Sequence, residues 1–414
     1  MTQPPRIHLF QGFGVELEYM LVDRDTLKIR PITDELLKHE LGVYGSDFEN
    51  GMVTWSNELV LHVVELKSTR PEKNFQELNR KFTENVKKIN SILSQWNAML
   101  MPTAAHPFMN PMNETKIWPH ENNEVYAVYN KIFDCRGHGW SNLQSTHLNL
   151  PFYDDEEFAK LHAAIRIVLP ILPALCASSP ILDGRITGSL DTRLNFYKTN
   201  QAKIPSITGK VIPEAVFSKR NYLNTIYEKI KSDIAPYDPN EELNAIWVNS
   251  RGAIPRFDRG SIEIRVMDIQ ECPSADLAAL TLVIETIKAL AGNLFVSLET
   301  QMKWKTEVLA QLLDQTILLG QAAIVDNSEY LALFDFPESK GSASALWQHI
   351  LQQLLQNGNP ALEGYKKELN IIMREGTLAS RIVMAIGKEP SLDKITSVYR
   401  RLCECLAHDK MFLN

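Results

Sequence analysis

Gly14-Val15-Glu16-Leu17-Glu18-Tyr19 decides the fold of this chain, because apolar and acidic residues alternate along it. Successive side chains of a β-strand point to opposite faces of the sheet. Glu16 and Glu18 therefore share one face, and the apolar residues between them point to the other. The stretch predicts a strand with a core-facing side and a side that carries two carboxylates.

Three further stretches show the same alternation and bring more polar groups to the predicted sheet. Polar residues two positions apart share a face, as His147 does with Asn149 and Glu263 with Arg265. The three stretches are Val63-Val64-Glu65-Leu66-Lys67, Ser145-Thr146-His147-Leu148-Asn149-Leu150 and Ser261-Ile262-Glu263-Ile264-Arg265-Val266. The residues expected to fill the reverse face include Val15, Leu17, Tyr19, Ile262, Ile264 and Val266.

A sheet face that gathers carboxylates, an imidazole and a guanidinium is an unusual surface to build for stability alone. Carboxylates that lie close together repel one another unless cations sit between them. Proteins hold Mg²⁺ and the phosphates of a nucleotide in this way. The pattern therefore predicts a magnesium and nucleotide site on the polar face.

The composition is ordinary for a globular enzyme and excludes two classes of partner. Of 414 residues, 44% are hydrophobic and 22% charged, and the formal net charge is −7. Such a chain has no basic footprint for nucleic acid or an anionic membrane. No segment approaches the roughly 20 apolar residues that span a bilayer. Residues 1–6 have no signal-peptide core, so a cytoplasmic location is predicted, with a homo-oligomer left open.

The cysteines are too few and too scattered for a disulfide framework. Cys403 and Cys405 form a C-x-C pair inside a helical pattern, with His408 nearby. A metal or redox role would need more thiolates at matched spacing, so two free thiols on a C-terminal helix are expected. The five cysteines are Cys135, Cys176, Cys272, Cys403 and Cys405.

The organisation of the chain changes near residue 274. Before it, strands alternate with helices, including one long amphipathic helix over 72–100 and a segment over 156–177 that Pro170 and Pro173 should interrupt. Residues 183–260 are rich in turn formers and are expected to be mostly loop. From Pro273 onward nearly everything reads as helix. The later helices are expected around 305–325, 343–357, 360–374, 376–386 and 391–408.

The predicted fold class is α+β, an antiparallel sheet with the active site on one face and helices packed on the other, followed by a helical C-terminal region. At 414 residues the chain exceeds a typical single core, so two parts are expected. We assign residues 1–275 to a catalytic sheet region and 276–414 to the helical region, as parts of one compact unit.

Four motifs, in order and at matching spacing, resemble the glutamate–cysteine ligase type 2 family over about residues 10–275. The stretch His147-Leu148-Asn149-Leu150-Pro151-Phe152 is similar to the plant and proteobacterial branch, and Pro151 departs from the His-x-His-x-Gly of other members. The resemblance implies a glutamine-synthetase-like catalytic sheet. The motifs are Gly14–Tyr19, Thr103–Phe108, Ala177–Pro180 and Gly260–Arg265.

The resemblance implies an ATP-dependent carboxylate–amine ligase that uses Mg²⁺ or Mn²⁺ and forms an acyl phosphate, with glutamate and cysteine as candidate acid and amine. The sequence has no Walker loop, so ATP would bind through metals and arginines. The implied metal ligands are Glu16, Glu18, Glu58, Glu65 and Glu263. The implied catalytic or nucleotide-binding residues are His147 and Asn149 near phosphate or metal, Arg265 at the γ-phosphate and Arg193 near substrate or phosphate.

Several assignments stay open at this stage. Glu58 and Glu65 would face opposite sides of a regular strand, so either a bulge joins them or Glu58 precedes the strand. His106, before a proline, could contact substrate or hold a loop. Tyr126 and Tyr129 are near the site in sequence only, and residues 110–140 and 195–255 are expected to choose the substrate. Two other functions compete, a metal-dependent amide or phosphoester hydrolase and a non-catalytic protein that binds nucleotide or amino acid.

Overall fold

The polar strands of the sequence lie side by side in a sheet of eight strands. A computed structural model describes residues 6–356 and 358–414. Residues 1–5, which belong to the stretch 1–6 considered for a signal peptide, and residue 357, at the end of one expected helix, lie outside these ranges. The strands are β1 Gly14–Asp23, β2 Asp47–Asn50, β3 Val53–Asn57, β4 Val63–Ser68, β5 Ala98–Met101, β6 Ser145–Pro151, β7 Ile181–Leu182, β8 Arg185–Ile186, β9 Ala253–Arg256, β10 Ser261–Asp268, β11 Ile324–Val325 and β12 Gly341–Ser342.

The order of the main sheet is β2-β3-β4-β1-β6-β10-β9, and β5 pairs with β1 beyond β4. The pairings within it are antiparallel. The four strands expected from alternation are therefore consecutive neighbours, β4, β1, β6 and β10, at the centre of the sheet. Their central position keeps polar side chains of four strands within reach of one another.

The register places the acidic residues opposite one another. Glu16 pairs with Lys67 on one side and with His147 on the other, whereas Glu18 pairs with Glu65. Glu263 of β10 pairs with Asn149 of β6. Directly opposed residues have Cβ atoms about 5 Å apart, so this register builds a single cluster rather than separate ion pairs.

A bulge interrupts β10 between Ile264 and Met267. Strict alternation would place Asp268 on the core side with Ile264. Because the bulge adds one residue, Asp268 instead pairs with Ser145 and joins the polar side of the sheet. The bulge thus adds a carboxylate to the polar face.

The reverse face of the sheet packs on helices. Apolar side chains of β1, β6 and β10 are buried in one hydrophobic cluster with those of α2, α6 and α12, as the alternation predicts. Helix α12 is buried on almost every side because its sequence is apolar nearly all round. The helices are α1 Thr33–Leu41, α2 Phe75–Leu93, α3 Pro111–Glu114, α4 Asn123–Phe133, α5 His138–Ser141, α6 Asp155–Val168, α7 Pro173–Cys176, α8 Thr192–Tyr197, α9 Lys219–Tyr222, α10 Glu228–Ile234, α11 Ala245–Val248, α12 Pro273–Ala291, α13 Leu298–Met302, α14 Thr306–Leu319, α15 Ser328–Ala332, α16 Ala343–Gln356, α17 Pro360–Glu363, α18 Lys366–Glu375, α19 Leu378–Ile386 and α20 Leu392–His408.

The helix expected over 72–100 is shorter than the pattern indicates. The Asn74 side chain caps α2 by accepting a hydrogen bond from the Glu77 backbone N–H at 3.1 Å. The helix ends at Leu93, and a short 3₁₀ turn leads into β5 from Ala98. The prediction was wrong over residues 98–100, because pairing with β1 outweighs a local helical pattern.

The other predictions about helices fare better. Helix α6 ends before Pro170, which lies in a 3₁₀ turn, and α7 begins at Pro173. Helix α12 begins at Pro273, as expected. The stretch 183–260 is less loop-like than expected, since it contains α8 to α11 and a π-helical turn over Leu223–Tyr227.

The C-terminal segment is helical throughout most of its length, and side chains of α14, α16 and α18 join the same hydrophobic cluster as the sheet. The suggested boundary at residue 275 falls inside α12, and the functional division of the chain there stays a prediction. All five cysteines are free thiols, with Cys403 and Cys405 on α20, as expected. Among the described residues no helix is both long and apolar enough to cross a bilayer.

Candidate active site

Glu16, His147 and Glu263 meet at the centre of the polar face. One ligand atom of each lies within 4.8 Å of the others. The Nδ1 atom of His147 is 2.9 Å from the Glu16 Oε2 atom and 3.8 Å from the Glu263 Oε1 atom. Three adjacent strands, β1, β6 and β10, supply these groups, so the cluster depends on the register of the sheet.

Glu16 and His147 each favour the charged form of the other. Burial opposes the charge of Glu16, but the hydrogen bond and charge of His147 outweigh burial and lower the pKa of Glu16 to about 2. Burial likewise opposes the imidazolium, whereas the hydrogen bond to Glu16 and the charge of Glu18 favour it, so the pKa of His147 is raised. The Asn149 Nδ2 atom donates to the other oxygen of Glu16 at 2.9 Å. A Cβ at Gly14 would lie 2.9 Å from the Asn149 Cβ, which is why a glycine stands there.

Ser145, for which the sequence pattern predicted no role, holds Glu18 in place. The Ser145 backbone N–H donates to Glu18 Oε2 at 2.7 Å, and its hydroxyl donates to the same oxygen at 3.1 Å. The hydroxyl oxygen is also 2.9 Å from the Nε2 atom of His147. Glu18 and His147 are thus fixed through one serine.

Glu58 and Glu65 add two further carboxylates. Glu58 follows β3 directly and precedes β4, so it reaches the face from a loop without a bulge between the two residues. Burial, followed by the charge of Glu18, raises the pKa of Glu58 to about 7. Burial and then the charge of Glu16 raise the pKa of Glu65 well above its usual range. Lys67 lies 3.3 Å from Glu65, and this single ammonium does not balance the group.

The donor set fits a hard divalent cation. Carboxylate oxygens are the ligands that Mg²⁺ prefers. Burial, and then the neighbouring carboxylates, raise the pKa values of Glu58 and Glu65, so a bound cation would favour their ionised forms. Of the implied ligands, Glu16 and Glu263 share a cluster with His147, while Glu18, Glu58 and Glu65 lie beside it.

Arg265 lies at the border between the carboxylate cluster and a cavity. Its Nε atom is 3.0 Å from Glu263 Oε1, and the same carboxylate is 3.7 Å from Arg256. Burial disfavours the guanidinium charge, but Glu263 and the neighbouring anions outweigh this and raise the pKa of Arg265. Arg265 also lines the cavity, so its outer nitrogens can contact a ligand there.

Arg193 is aimed by Asp268, a residue that sequence reasoning missed. The Arg193 Nε donates to Asp268 Oδ1, and Asp268 Oδ2 accepts from the Ser178 N–H and the Ser179 hydroxyl, both at 2.8 Å. Arg193 and Asp268 are both buried, at 2% and 1% exposure. The bulge of β10 was needed to turn Asp268 this way, and no sequence pattern announced that bulge.

A cavity of about 220 Å³ opens beside the cluster. Helix α4 and the Gly139–Trp140 turn supply one side, and residues of the 197–250 segment supply the other. Tyr126 and Tyr129, which were near the site in sequence only, both line it. The charged and polar lining residues are Glu18, Glu58, Ser145, His147, Arg193, Asn200, Gln201, Ser250 and Arg265, and the apolar and aromatic ones are Leu59, Val60, Val63, Tyr126, Tyr129, Trp140, Leu143, Tyr197 and Trp247, with Gly139 between them.

The site therefore has two compartments. Glu16, Glu263 and Asn149 lie on the sheet outside the cavity lining, whereas Glu18 and Glu58 lie within it. His147 and Arg265 belong to both compartments. A group bound to the carboxylate cluster and a molecule in the cavity would meet at these two side chains.

His106 is not among the residues that line the cavity. Its Nε2 atom is 2.7 Å from the Leu27 carbonyl oxygen, and its Nδ1 atom accepts from the Phe108 N–H at 3.1 Å. Both ring nitrogens are thus occupied within the chain, and the ring is 2% exposed. The geometry favours the loop-holding alternative over substrate contact.

A family model described as glutamate-cysteine ligase family 2 matches residues 12–400 of this chain. This match defines the chain as an ATP-dependent carbon–nitrogen ligase. The chain belongs to glutamate-cysteine ligase family 2. The resemblance seen in the motifs is confirmed, and it extends well beyond residue 275.

Two proteins are similar to this chain in sequence, and only one of them has a functional name. An uncharacterised protein of Archaeoglobus fulgidus is 32% identical over 403 residues, which cover 97% of this chain and 100% of the relative. A protein of Bradyrhizobium sp. (strain ORS 278), provisionally named glutamate–cysteine ligase 2, is 27% identical over 294 residues, 70% of this chain and 63% of its own.

Among solved structures, the glutamate–cysteine ligase of Francisella tularensis in complex with AMP aligns with a TM-score of 0.62 at 12% identity, over 97% of this chain and 90% of that one. A bifunctional glutathione synthetase from Pasteurella multocida aligns with a TM-score of 0.56 at 14% identity. The alignment covers 97% of this chain and 53% of that protein, so this chain spans about half of its length. These similarities confirm the fold. The cytoplasmic location and the oligomeric state stay predictions.

Proposed function

We infer that this protein forms an amide bond between a carboxylic acid and an amine, and that ATP activates the acid as an acyl phosphate. Glutamate and cysteine are the first pair to test, because the named relatives are glutamate–cysteine ligases. The observation that supports this most is the position of Arg265 and His147 between the carboxylate cluster and the cavity. A transferring phosphoryl group would have to lie between these compartments.

The carboxylate cluster suits the nucleotide side of the site. Glu16 and Glu263 would hold Mg²⁺ or Mn²⁺, with Glu18, Glu58 and Glu65 as further ligands. The metal would neutralise the phosphates of ATP and orient them for in-line transfer. Asn149 and His147 keep Glu16 in place through the two hydrogen bonds to its oxygens.

The cavity suits the acid and the amine. Arg193 is a buried cation whose direction is fixed by Asp268, so it can orient the carboxylate of the acid. In the first step a carboxylate oxygen attacks the γ-phosphorus of ATP and ADP leaves. Arg265 contacts the phosphoryl oxygens as charge shifts onto them.

In the second step the amine nitrogen attacks the acyl carbon, and inorganic phosphate leaves with one oxygen of the acid. The amine loses a proton as the amide forms. Exclusion of water by the aromatic side chains of the cavity protects the acyl phosphate from hydrolysis until the amine binds.

The test is an ADP-release screen over a matrix of acids and amines, beginning with glutamate and cysteine, in the presence of Mg²⁺. Release of ADP that depends on both an acid and an amine is the expected result. With ¹⁸O-labelled acid, one label per turnover should appear in inorganic phosphate. AMP and pyrophosphate as products would contradict the proposed acyl phosphate.

Two other functions would give different results in the same screen. A metal-dependent hydrolase would turn over amides or phosphoesters without any nucleotide. A non-catalytic binding protein would bind ATP saturably and release no ADP with any pair.

A further inference from the structure

We propose that the apolar side of the cavity binds the side chain of the amine substrate, and that this substrate is an amino acid with a branched or aromatic apolar side chain, larger than the thiol of cysteine. The inference rests on the proposed ligase function and specifies its amine. We call this side the apolar wall. It consists of Leu59, Val60, Val63, Tyr126, Tyr129, Trp140 and Leu143.

The apolar wall is supported from behind. Tyr129 meets Trp140 edge to face, with ring centroids 5.4 Å apart. Phe133, outside the cavity lining, stacks on Trp140 at 5.5 Å. Aromatic pairs of this kind hold each other in place, so the wall presents a defined surface rather than mobile side chains.

Two polar side chains beside the wall, Asn200 and Gln201, already have partners within the chain. The Asn200 Nδ2 donates to the Gly139 carbonyl, and a Cβ at Gly139 would overlap the Asn200 side chain. The Gln201 Nε2 donates to the Ser250 hydroxyl at 3.1 Å, and its Oε1 accepts from Thr208 at 2.8 Å. A polar ligand side chain would lose its hydrogen bonds to water without gaining hydrogen bonds from these amides. An apolar side chain has no hydrogen bonds to water to lose.

The size of the cavity decides between small and large apolar groups. An apolar cavity of about 150 Å³ is large enough for benzene. This cavity measures about 220 Å³, and besides the side chain it has to accommodate the α-amino and carboxylate groups of the amine and the reacting end of the acid. A thiol would leave part of the wall without contact, whereas a branched or aromatic side chain would cover it.

The charged end of the cavity fits the groups that all amino acids share. Glu58 and Leu59 are consecutive in the chain, so a carboxylate and the start of the apolar wall are adjacent. Of the implied metal ligands, Glu58 lies in the cavity lining and outside the Glu16–His147–Glu263 cluster, so in this assignment it accepts from the ammonium in place of a metal. Arg193 and Arg265 can contact carboxylates. An amino acid bound with its ammonium at Glu58 would place its side chain along the wall.

The experiment compares leucine with its polar near-isostere asparagine, and cysteine with serine, as amines in ADP release by the full chain. Leucine should exceed asparagine in kcat/KM by at least about tenfold, and it should also exceed cysteine, since a hydrophobic pocket discriminates by size and a desolvated amide is penalised. Hydroxylamine replaces the amine in a parallel assay that detects hydroxamate. This small nucleophile does not need the wall, so it reports acyl activation alone.

Two variants from different elements test the wall itself. Tyr129→Ala on α4 and Trp140→Ala on α5 should each lower kcat/KM for leucine by about tenfold or more, while the KM for ATP, measured by hydroxamate formation, stays within about twofold. Tyr153→Ala, at an exposed tyrosine outside the cavity, is the matched control. Circular dichroism checks that each variant is folded. If one variant does not fold, the other one alone tests the wall.

Hydroxamate formation together with equal use of leucine and asparagine would overturn the assignment of the wall and leave the ligase function standing. A rise in the KM for ATP in the folded wall variants would overturn it as well, since the wall would then bind the nucleotide. Absence of both hydroxamate and ADP with every acid tested would overturn the ligase function and the assignment with it.

Discussion

His106→Gln decides between the two roles that the sequence left open for this histidine. In the structure the ring is buried and both nitrogens are hydrogen-bonded to the chain. Burial is the main cause that lowers the pKa of His106 from 6.5 to about 4. A structural role therefore predicts an effect on stability and its pH dependence, and a substrate role predicts an effect on KM.

The sign and the size of the pH effect follow from the pKa of His106. Between pH 6.5 and about 4 the unfolded chain binds a proton at this ring and the native protein does not. Stability is therefore full above pH 6.5 and is lost as the pH falls towards 4. The loss for this one ring is about 2 kcal/mol at pH 5 and about 3 kcal/mol below pH 4, at 1.36 kcal/mol per pKa unit. His62 and His162, buried with pKa values of about 4 and about 3, add losses of the same sign.

The assay is urea unfolding of wild type and His106→Gln at pH 7.5 and pH 5. At pH 7.5 the variant should be less stable by about 1–3 kcal/mol, because a buried hydrogen-bonding partner is lost. At pH 5 that difference should shrink by about 2 kcal/mol, because the variant no longer excludes this proton. His408→Gln, at an exposed histidine of α20, should change neither value. A constant difference at both pH values, or a tenfold rise in the KM of acid or amine with stability unchanged, would refute the structural role.

Three further variants test the polar face and its supports. Glu16→Gln should lower turnover by about 100-fold or more, which is the loss expected when a group that positions the transferring charge is removed. It should also reduce the increase in thermal stability that Mg²⁺ gives to wild type. Glu299→Gln, at an exposed helix position, serves as the control. Arg265→Lys should lower kcat by about tenfold or more with a smaller change in the KM for ATP, since lysine keeps the charge but loses the planar fork; a change in the KM alone would mean ground-state binding. Asp268→Asn should destabilise the protein by about 3–5 kcal/mol in urea unfolding, because the buried charge of Arg193 loses its partner; a loss below 1 kcal/mol would show that the pair carries little of the fold.

The face of the sheet was predictable because alternation is a local property. A strand has a period of two, so the sequence alone places Glu16 with Glu18, and Glu263 with Arg265, on one side. The hydrophobic reverse side and the helix start at Pro273 follow from equally local patterns. The same local reasoning failed at residues 98–100, where a helical pattern yields to pairing with β1.

Only the tertiary structure decided which groups meet. The register that sets His147 between Glu16 and Glu263 depends on contacts between residues more than a hundred positions apart. The bulge that turns Asp268 towards Arg193 is one residue long and breaks the period that a pattern would follow.

The cavity also depends on long-range packing, since α4 and the 197–250 segment come together over the sheet. No sequence motif in either segment predicts this contact. The sequence by itself determined which residues of the regular strands share the polar face, because that depends on strand periodicity alone. The distances among them, the place of His106 in a loop and the space for a second substrate depend on how distant segments pack, and those contacts are formed only in the folded chain.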